Sequence, residues 1–350
     1  MRIVVATVVH HPEDARIRHR QIPTLLNAGH EVVYVAPPGD AKSPPPGLER
    51  VVVPRAAGRN RLRALGKAAV ELWRVTVDAD LTLVHDPELT VLDRFVRSPM
   101  VWDVHEDVVA QVADKAYIPG RLRPFARALA ERVEQRGRRR LDCLIAEVGY
   151  RSRFPDATLV RNTVHIPDDV VSSGDNRVVY LGRVSHGRGA AAMAALGRTL
   201  PAGANLEIIG PVDDDVFGLA GPGISVHGFV PNDDALALLP GAAVGLSLLQ
   251  DRANYRHSMP TKLLEYLAHG VPVVSTPLSE AVALVEGYDC GVVVPFDDDV
   301  ALHEAVGMLL SDAELRHRLA ANGRRIVSEK FNWSADASRF VDRIERAAHS

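Results

Sequence analysis

Cysteine is nearly absent from this 350-residue chain: Cys143 and Cys290 are its only two, far apart and without metal-ligand spacing. That excludes a disulfide framework and a cysteine-based zinc site, and makes a reducing setting such as the cytoplasm the expected location. Long apolar runs are missing too, and no segment approaches the roughly 18–20 consecutive apolar residues that span a bilayer. The apolar run Ile3–Val9 has no small-residue cleavage site and passes directly into HHPEDAR, so it reads as a buried strand and not as a signal-peptide core. Nor is there an excess of one charge: 41 Lys and Arg against 44 Asp and Glu give a formal charge of −3 and no overall nucleic-acid footprint. Aromatics are few at 5%, but 47% apolar and 24% charged residues is a globular composition, which excludes disordered, collagen-like and fibrous classes.

What is present is alternation. The first half reads as strands at Arg2–Val8, Glu31–Ala36, Val51–Pro54, Leu81–His85 and Met100–Val104, with helices at Ala15–Ala28 and Arg61–Val77. Such alternation predicts a parallel sheet covered on both faces, and the short, Val- and Ile-rich strands agree. The polar stretch HIPDDVVSSGDN reads as a linker. Beyond it come strands at Val178–Leu181, Leu206–Ile209, Ser225–Phe229 and Val244–Leu248, with helices at Ala190–Leu200 and Asp233–Leu239. The length suits two ordinary cores. The expected fold class is therefore α/β: two doubly wound Rossmann-like domains, 1–165 and 166–332, facing across a cleft between the carboxyl ends of their sheets, where ligands of such sheets bind.

Four segments carry chemistry. In YRHSMPTKLLEYLAHGVPVV, Pro260 suits the first helical position, Leu263, Leu264 and Leu267 repeat at helical spacing, Gly270 closes the helix and Val271–Val274 reads as a core strand. The helix N-terminus near Thr261 and Lys262 then offers free N–H groups and a positive dipole end to an anion. In YLGRVSHGRG, Arg183 and Arg188 lie five residues apart on a turn relaxed by Gly182, Gly187 and Gly189, a spacing able to clamp a diphosphate. In HGFVPNDDALALL a strand ends at Gly228 and Pro231 precedes a helix capped by Asn232 or Asp233. MVWDVHED and LVHDPEL each set a His just beyond a buried strand. The loop HHPEDARIRHR places His10, His11, Asp14 and Arg16 after the first strand, and its two adjacent His lack a third ligand at suitable spacing, so no metal is expected. Arg121–Arg140 holds eight Arg against Glu131 and Glu134, with Leu122, Phe125, Leu129 and Val133 at roughly helical spacing. Two readings stay open there: weak contact with an anionic membrane surface, or a solvated helix whose apolar stripe faces the core.

The segment SMPTKLLEYLA resembles the C-terminal signature of the family 4 retaining glycosyltransferases, in the wording of a bacterial polysaccharide and natural-product subgroup, and the resemblance spans nearly the whole chain. It implies the GT-B fold, a helix at the C-terminus (333–350) packing back on the first domain, and transfer of a sugar from a nucleotide-diphosphate donor to an acceptor hydroxyl, with retention and without a metal or other cofactor. On the donor side it implies Arg183 and Arg188 on the diphosphate, with Arg188 in the place of the family's Lys. Gly182, Ser258, Met259, Thr261 and Lys262 lie around the nucleotide, Phe229 and Val230 at the base, and Glu265 at the ribose. His105 falls on the His that contacts the donor sugar. The loop after the first strand lacks the double Gly of many relatives, and its His10, His11, Asp14 and Arg16 are read instead as shaping the acceptor side, with Asp103 and Glu106 beside His105 as acceptor contacts and His85 and Asp86 as structural caps or supports behind them. The first Glu of the family's pair is replaced by His257, which points to altered donor choice or impaired catalysis. The implied partners are a nucleotide sugar and a small-molecule, glycan or lipid-linked acceptor, and the implied location is cytoplasmic, either free or at the inner membrane face. Competing readings are a noncatalytic partner subunit, a sugar-nucleotide epimerase of the same fold, and a pseudo-glycosyltransferase.

Overall fold

The computed structural model describes residues 1–39, 44–107, 109–110, 120–216, 218–219, 221–256 and 258–349; His257 lies outside them. The chain divides into two compact units, residues 1–162 with 334–350, and residues 163–333.

Among its described residues the first unit holds seven parallel strands: β1 (Arg2–Ala6), β2 (Glu31–Ala36), β3 (Leu48–Val52), β4 (Leu81–Val84), β5 (Met100–Val104), β6 (Asp142–Ile145) and β7 (Thr158–Leu159). Their order is β3-β2-β1-β4-β5-β6-β7. β1 therefore pairs with β2 on one side, Ile3 opposite Val32, and with β4 on the other, Ile3 opposite Leu81. Both faces are covered, and Ile3, Val4, Val5 and Ala6 are all fully buried, which is why β1 is apolar without alternation. The expected helix over Ala15–Ala28 is instead a π-helical turn, Ile17–Gln21, running into α1 (Ile22–Asn27). Pro23 lacks the N–H that an unbroken α-helix would need, and the wider turn uses bonds such as Gln21 N–H to the Arg16 carbonyl.

Helices α2 (Arg61–Val75) and α3 (Arg123–Arg140) follow. The apolar stripe of α3 does not face the core: Leu122, Phe125 and Leu129 are exposed, and Gly137 is its one fully buried residue among those described. What anchors the helix is polar. Arg136 and Arg140 both reach Asp93, at 2.5 and 2.7 Å, and Gly137 lies against the Trp102 ring, which an added Cβ would meet at 3.0 Å.

In the second unit β8 (Arg177–Leu181), α4 (Ala190–Thr199), β9 (Asn205–Ile209), β10 (Ile224–Gly228), α5 (Asn232–Ala237), β11 (Val244–Ser247), α6 (Thr261–Ala268), β12 (Val273–Ser275), α7 (Ser279–Val285), β13 (Gly291–Val293), α8 (Asp299–Ser311) and α9 (Ala313–Lys330) succeed one another. The sheet order is β10-β9-β8-β11-β12-β13, all parallel. α10 (Trp333–Ala348) begins at the last residue of this unit and runs into the first, where it buries Phe340, Ile344 and Ala347.

In each sheet the strand order reverses once, between β1 and β4 and between β8 and β11. Loops leaving the carboxyl ends of such a pair diverge to opposite faces and leave a crevice, the place where doubly wound sheets bind ligands. Every loop with a chemical signature in the sequence starts at a carboxyl strand end. HHPEDAR follows β1, HDPEL follows β4, GRVSHGRG follows β8 and the Tyr255 segment follows β11.

α6 starts one residue later than its sequence suggests: Pro260, with φ −66° and ψ 110°, is the N-cap and Thr261 the first helical residue. Gly270 ends it as expected, in the left-handed region at φ +73°. The N–H of Gly270 bonds the Leu267 carbonyl and that of Val271 bonds the Tyr266 carbonyl, a Schellman closure that keeps Val271 out of β12. A Cβ at Gly270 would also meet Val170 Cγ1 at 2.6 Å. Gly270→Ala is therefore expected to destabilise the second unit by about 1–2 kcal/mol for the backbone conformation alone, read as a lower urea midpoint, and an unchanged midpoint would contradict this closure.

Candidate functional site

At the β8/β11 crevice the ladder is short. Val178 pairs with Val244 and Val179 with Gly245, after which the strands part. The gap is bridged by Tyr266 of α6, whose hydroxyl accepts from Leu181 N–H (2.6 Å) and donates to the Leu246 carbonyl (3.2 Å). Its ring needs Gly245 beneath it, since a Cβ there would sit 2.5 Å from ring carbons. Tyr266 belongs to the signature helix but is structural, which helical spacing alone did not reveal.

Gly182 turns the chain at φ +109° directly after β8. Arg183 then projects outward, 59% exposed, and its Nη1 meets Asp213 Oδ1 at 2.6 Å. Arg188 lies in the short turn before α4, and its Nη1 is 3.5 Å from the Arg183 carbonyl. Gly189 is left-handed and packs against Leu248, where a Cβ would meet the backbone oxygen at 2.7 Å. Close packing thus forces Gly189, whereas Gly182 is required by its positive φ.

Lys262, in the first turn of α6, is the unusual residue here. Its Nζ is buried, makes no hydrogen bond, and lies 3.6 Å from the centroid of the Tyr180 ring. A Cβ on Gly182 would approach that Nζ to 3.7 Å, so the ammonium sits at the turn itself. Burial, then the nearby Arg188 charge, hold Lys262 well below the usual lysine range, with Glu265 opposing. Glu265 is buried one turn further along α6. Ser258 donates to the Asn254 carbonyl at 3.2 Å, Met259 and Val230 are partly buried against the core, and Phe229 is exposed just beyond β10. Asn254, which the sequence reading passed over, buries Oδ1 without a partner.

The β1/β4 crevice of the first unit gathers His10, His85 and His105, with His10 to His105 ring centroids 4.7 Å apart and His85 to His105 5.4 Å apart. Beneath them Asp103, at the end of β5, is fully buried and bound bidentately by Arg16, Nε to Oδ2 at 2.7 Å and Nη2 to Oδ1 at 2.8 Å. Gln21 also donates to Asp103, at 2.8 Å. Arg16 and Asp103, expected on the acceptor side, thus face each other in the interior. Burial opposes the Asp103 charge, but the Arg16 guanidinium outweighs it and holds the carboxyl well below its usual range. Asp86 caps the β1 loop, accepting from Thr7 Oγ1 (2.9 Å) and from the N–H groups of Val8 and Val9. Asp14 caps the π-helical turn through the Arg16 and Ile17 N–H groups.

His10 lies between Asp86 (3.4 Å) and Asp14 (3.7 Å). Burial works against its charge, but the two carboxylates prevail and push it up to about 10. Burial instead lowers His85, to about 4, and lowers His105, which also feels the His10 charge. One imidazolium thus stands beside two neutral rings. A cavity of ≈ 30 Å³, with room for one or two waters, is lined by His10, Glu106, Arg61 and Glu88 among others. His85 Nε2, His105 Nε2 and Trp102 Nε1 are buried without hydrogen-bond partners. Such groups suit a ligand hydroxyl, which can both donate and accept.

His85, Asp103 and His105 bring one ligand atom each within 4.8 Å of one another, a grouping that the sequence spacing of His10 and His11 did not suggest. The donor set does not fit a cation, because both Asp103 oxygens are committed to the Arg16 guanidinium, whose charge a metal would have to face.

A family profile described as "Glycosyl transferase-like" matches residues 186–342. The chain is 25% identical over 305 residues to a phosphatidyl-myo-inositol mannosyltransferase of Mycobacterium leprae (strain TN), covering 80% of this chain and 77% of that one. Sucrose-phosphate synthase of Thermosynechococcus elongatus superposes with a TM-score of 0.74 at 16% identity, covering 99% and 98% of the two chains. Anabaena Alr3699/HepE, solved in complex with UDP-glucose, gives 0.72 at 12% identity, covering 99% and 100%. These likenesses establish the shared GT-B fold.

Two outcomes are expected of the first unit. Asp103→Asn leaves Arg16 buried without its countercharge and should cost about 3–5 kcal/mol of stability, read by urea denaturation; a loss under 1 kcal/mol would show that the pair is not what holds this crevice. The folded value of His10, about 10, lies above its ordinary 6.5. Its stabilisation is therefore complete below about pH 6.5 and is lost as pH rises through about 10. The melting temperature of His10→Gln should fall less than that of the wild type between pH 7 and 10, and parallel curves would refute the assignment.

Proposed function

We propose that this chain, a glycosyltransferase of GT-B fold and family 4 type, moves a sugar from a nucleotide-diphosphate donor to an acceptor hydroxyl with retention of configuration and without a metal ion. The observation that carries this is the buried, unpartnered Nζ of Lys262, set against Gly182 and within the field of Arg188 at the end of β8. A desolvated ammonium without a hydrogen-bond partner is costly, and a site that retains one is matched to an anion that arrives later.

The donor's diphosphate takes that place. Lys262, Arg188 and Arg183 supply the countercharge, with the first-turn N–H groups of α6 at Thr261 adding partial positive charge. Arg183 is released from Asp213 when it turns to the phosphate. Glu265 is assigned to the ribose hydroxyls, the chain at Phe229 and Val230 to the base, and Ser258 and Met259 to the turn beside the donor. In the first unit His105 and His10 are assigned to sugar and acceptor hydroxyls, with Glu106 at the rim and Asp14 holding His10 in its charged form.

In the transfer, the acceptor oxygen forms a bond to the anomeric carbon as the bond from that carbon to the β-phosphate oxygen breaks. The hydroxyl proton passes to the departing phosphate, so no protein base is required. Negative charge grows on the diphosphate, and prepositioned cations there are the largest means of acceleration open to this site. HepE was solved with UDP-glucose, which puts UDP first among the nucleotides to try.

Arg183→Ala should cost roughly 2–4 kcal/mol of transition-state stabilisation, and turnover within twofold of wild type would sink its role. Lys262→Met removes the desolvated charge. The ligand-free variant should melt higher, by about 2–4 °C for each kcal/mol gained, and should show a much smaller rise in melting temperature than saturating UDP, GDP, dTDP or ADP gives the wild type. A variant that keeps the full nucleotide-induced rise would overturn the diphosphate site.

A further inference from the structure

Tyr180 occupies a place in this crevice that its position on a core strand does not announce. It is fully buried on β8, two residues before the turn, among Val178, Val184, Met193 and other apolar neighbours. A phenylalanine or leucine would satisfy that apolar face. The polar contacts of Tyr180 lead elsewhere. Its hydroxyl donates to the Arg183 carbonyl at 3.0 Å, and its ring lies under Lys262 Nζ at 3.6 Å from the centroid. The same Arg183 carbonyl lies 3.5 Å from Arg188 Nη1. One side chain therefore touches Lys262 directly, fixes the backbone from which Arg183 projects, and shares with Arg188 the oxygen that orients it.

We infer that Tyr180 is a positioning residue for the diphosphate site, its ring seating the Lys262 ammonium and its hydroxyl setting the Arg183–Arg188 turn. This rests on the diphosphate reading of the preceding section. The physical case is the balance at Nζ. Among the described groups no hydrogen-bond acceptor reaches that nitrogen, and the face of an aromatic ring is a contact that favours a cation while leaving its donors free. A hydrogen-bonding carboxylate in the same place would neutralise the ammonium before the ligand arrived. The ring holds the amine in position and leaves its donors free for an anion, whose charge favours the protonated form. Burial keeps the Tyr180 phenol protonated by pushing it further above its ordinary range, so it stays a donor to the Arg183 carbonyl at any working pH.

The test is a pair of double-mutant cycles read by calorimetric titration with UDP, GDP, dTDP and ADP, continued with whichever binds the wild type most tightly. Tyr180→Phe keeps the ring and loses the hydroxyl, and should weaken binding about three- to fivefold in the wild type and clearly less in an Arg183→Ala background, where only the share acting through Arg188 remains. Tyr180→Leu also loses the ring and should weaken binding about tenfold or more, with the excess over Tyr180→Phe vanishing in a Lys262→Met background. A purely structural role would cost the same in every background, because acting through a partner is what makes a cycle non-additive. Equal cost in wild-type and Lys262→Met backgrounds would overturn the role of the ring. Equal cost of Tyr180→Phe in wild-type and Arg183→Ala backgrounds would overturn that of the hydroxyl. Should Tyr180→Leu fail to fold, Tyr180→Phe still decides the hydroxyl and Tyr180→Met replaces Tyr180→Leu in the other cycle. If Lys262→Met binds as tightly as the wild type, the diphosphate reading itself fails and this inference with it, an outcome distinct from additivity.

Discussion

A parallel sheet buried on both faces leaves its polar groups nowhere to collect but at the strand ends, and a reversal of strand order opens a gap at one of those ends. Both units obey this constraint. Where β1 and β4 diverge, three imidazoles and two buried carboxylates converge. Where β8 and β11 diverge, the gap is bridged by the Tyr266 hydroxyl and lined by the glycine turn after β8 and the first turn of α6. The chemistry is placed by the sheets, and the loops supply its residues.

The two crevices handle buried charge in opposite ways. In the first crevice the buried charges are paired: Arg16 and Asp103 form a bidentate pair, and His10 sits between Asp14 and Asp86. Buried pairs of this kind add little net stability but are expensive to break, so they hold geometry. In the second unit Lys262 Nζ is left without a hydrogen bond and rests on an aromatic face. That arrangement is poor for stability and good for capturing an anion, the exchange expected where a site is poised for a ligand. Arg183 offers an intermediate case, exposed and held by Asp213 at 2.6 Å in a pair that water weakens and a phosphate can replace.

Sequence patterning carried furthest where the cause is local. β2 and β5 fall at their expected residues, and Gly270 ends α6 in the left-handed conformation that its place after a leucine-spaced helix suggests. It failed where a second cause intervened. Pro23 turned one expected helix into a π-helical turn and α1, and Pro260 became the cap of α6 where the first helical position was expected. The stripe of Phe125 and Leu129 on α3 has helical spacing yet stays exposed, because the arginines of that helix, not its apolar groups, find the partners that anchor it. The helices and strand between Ser279 and Lys330 carried no chemical signature, and the sequence reading passed over them.

At the candidate site the division is sharper. The sequence by itself determined the alternating α/β architecture and the loops in which Arg183, Arg188, Lys262, His10 and His105 stand, because periodicity, glycine turns and helix starts depend on near neighbours in the chain. Only the tertiary structure decided what those residues are. It set Asp103 against Arg16, 87 residues away, so that both became internal supports. It gathered His85 and His105 beside a charged His10, and it slid the Tyr180 ring under Lys262 while leaving its Nζ without a hydrogen bond. Protonation and partnering follow from burial and from charges brought close in space, and neither quantity exists along a chain until it has folded.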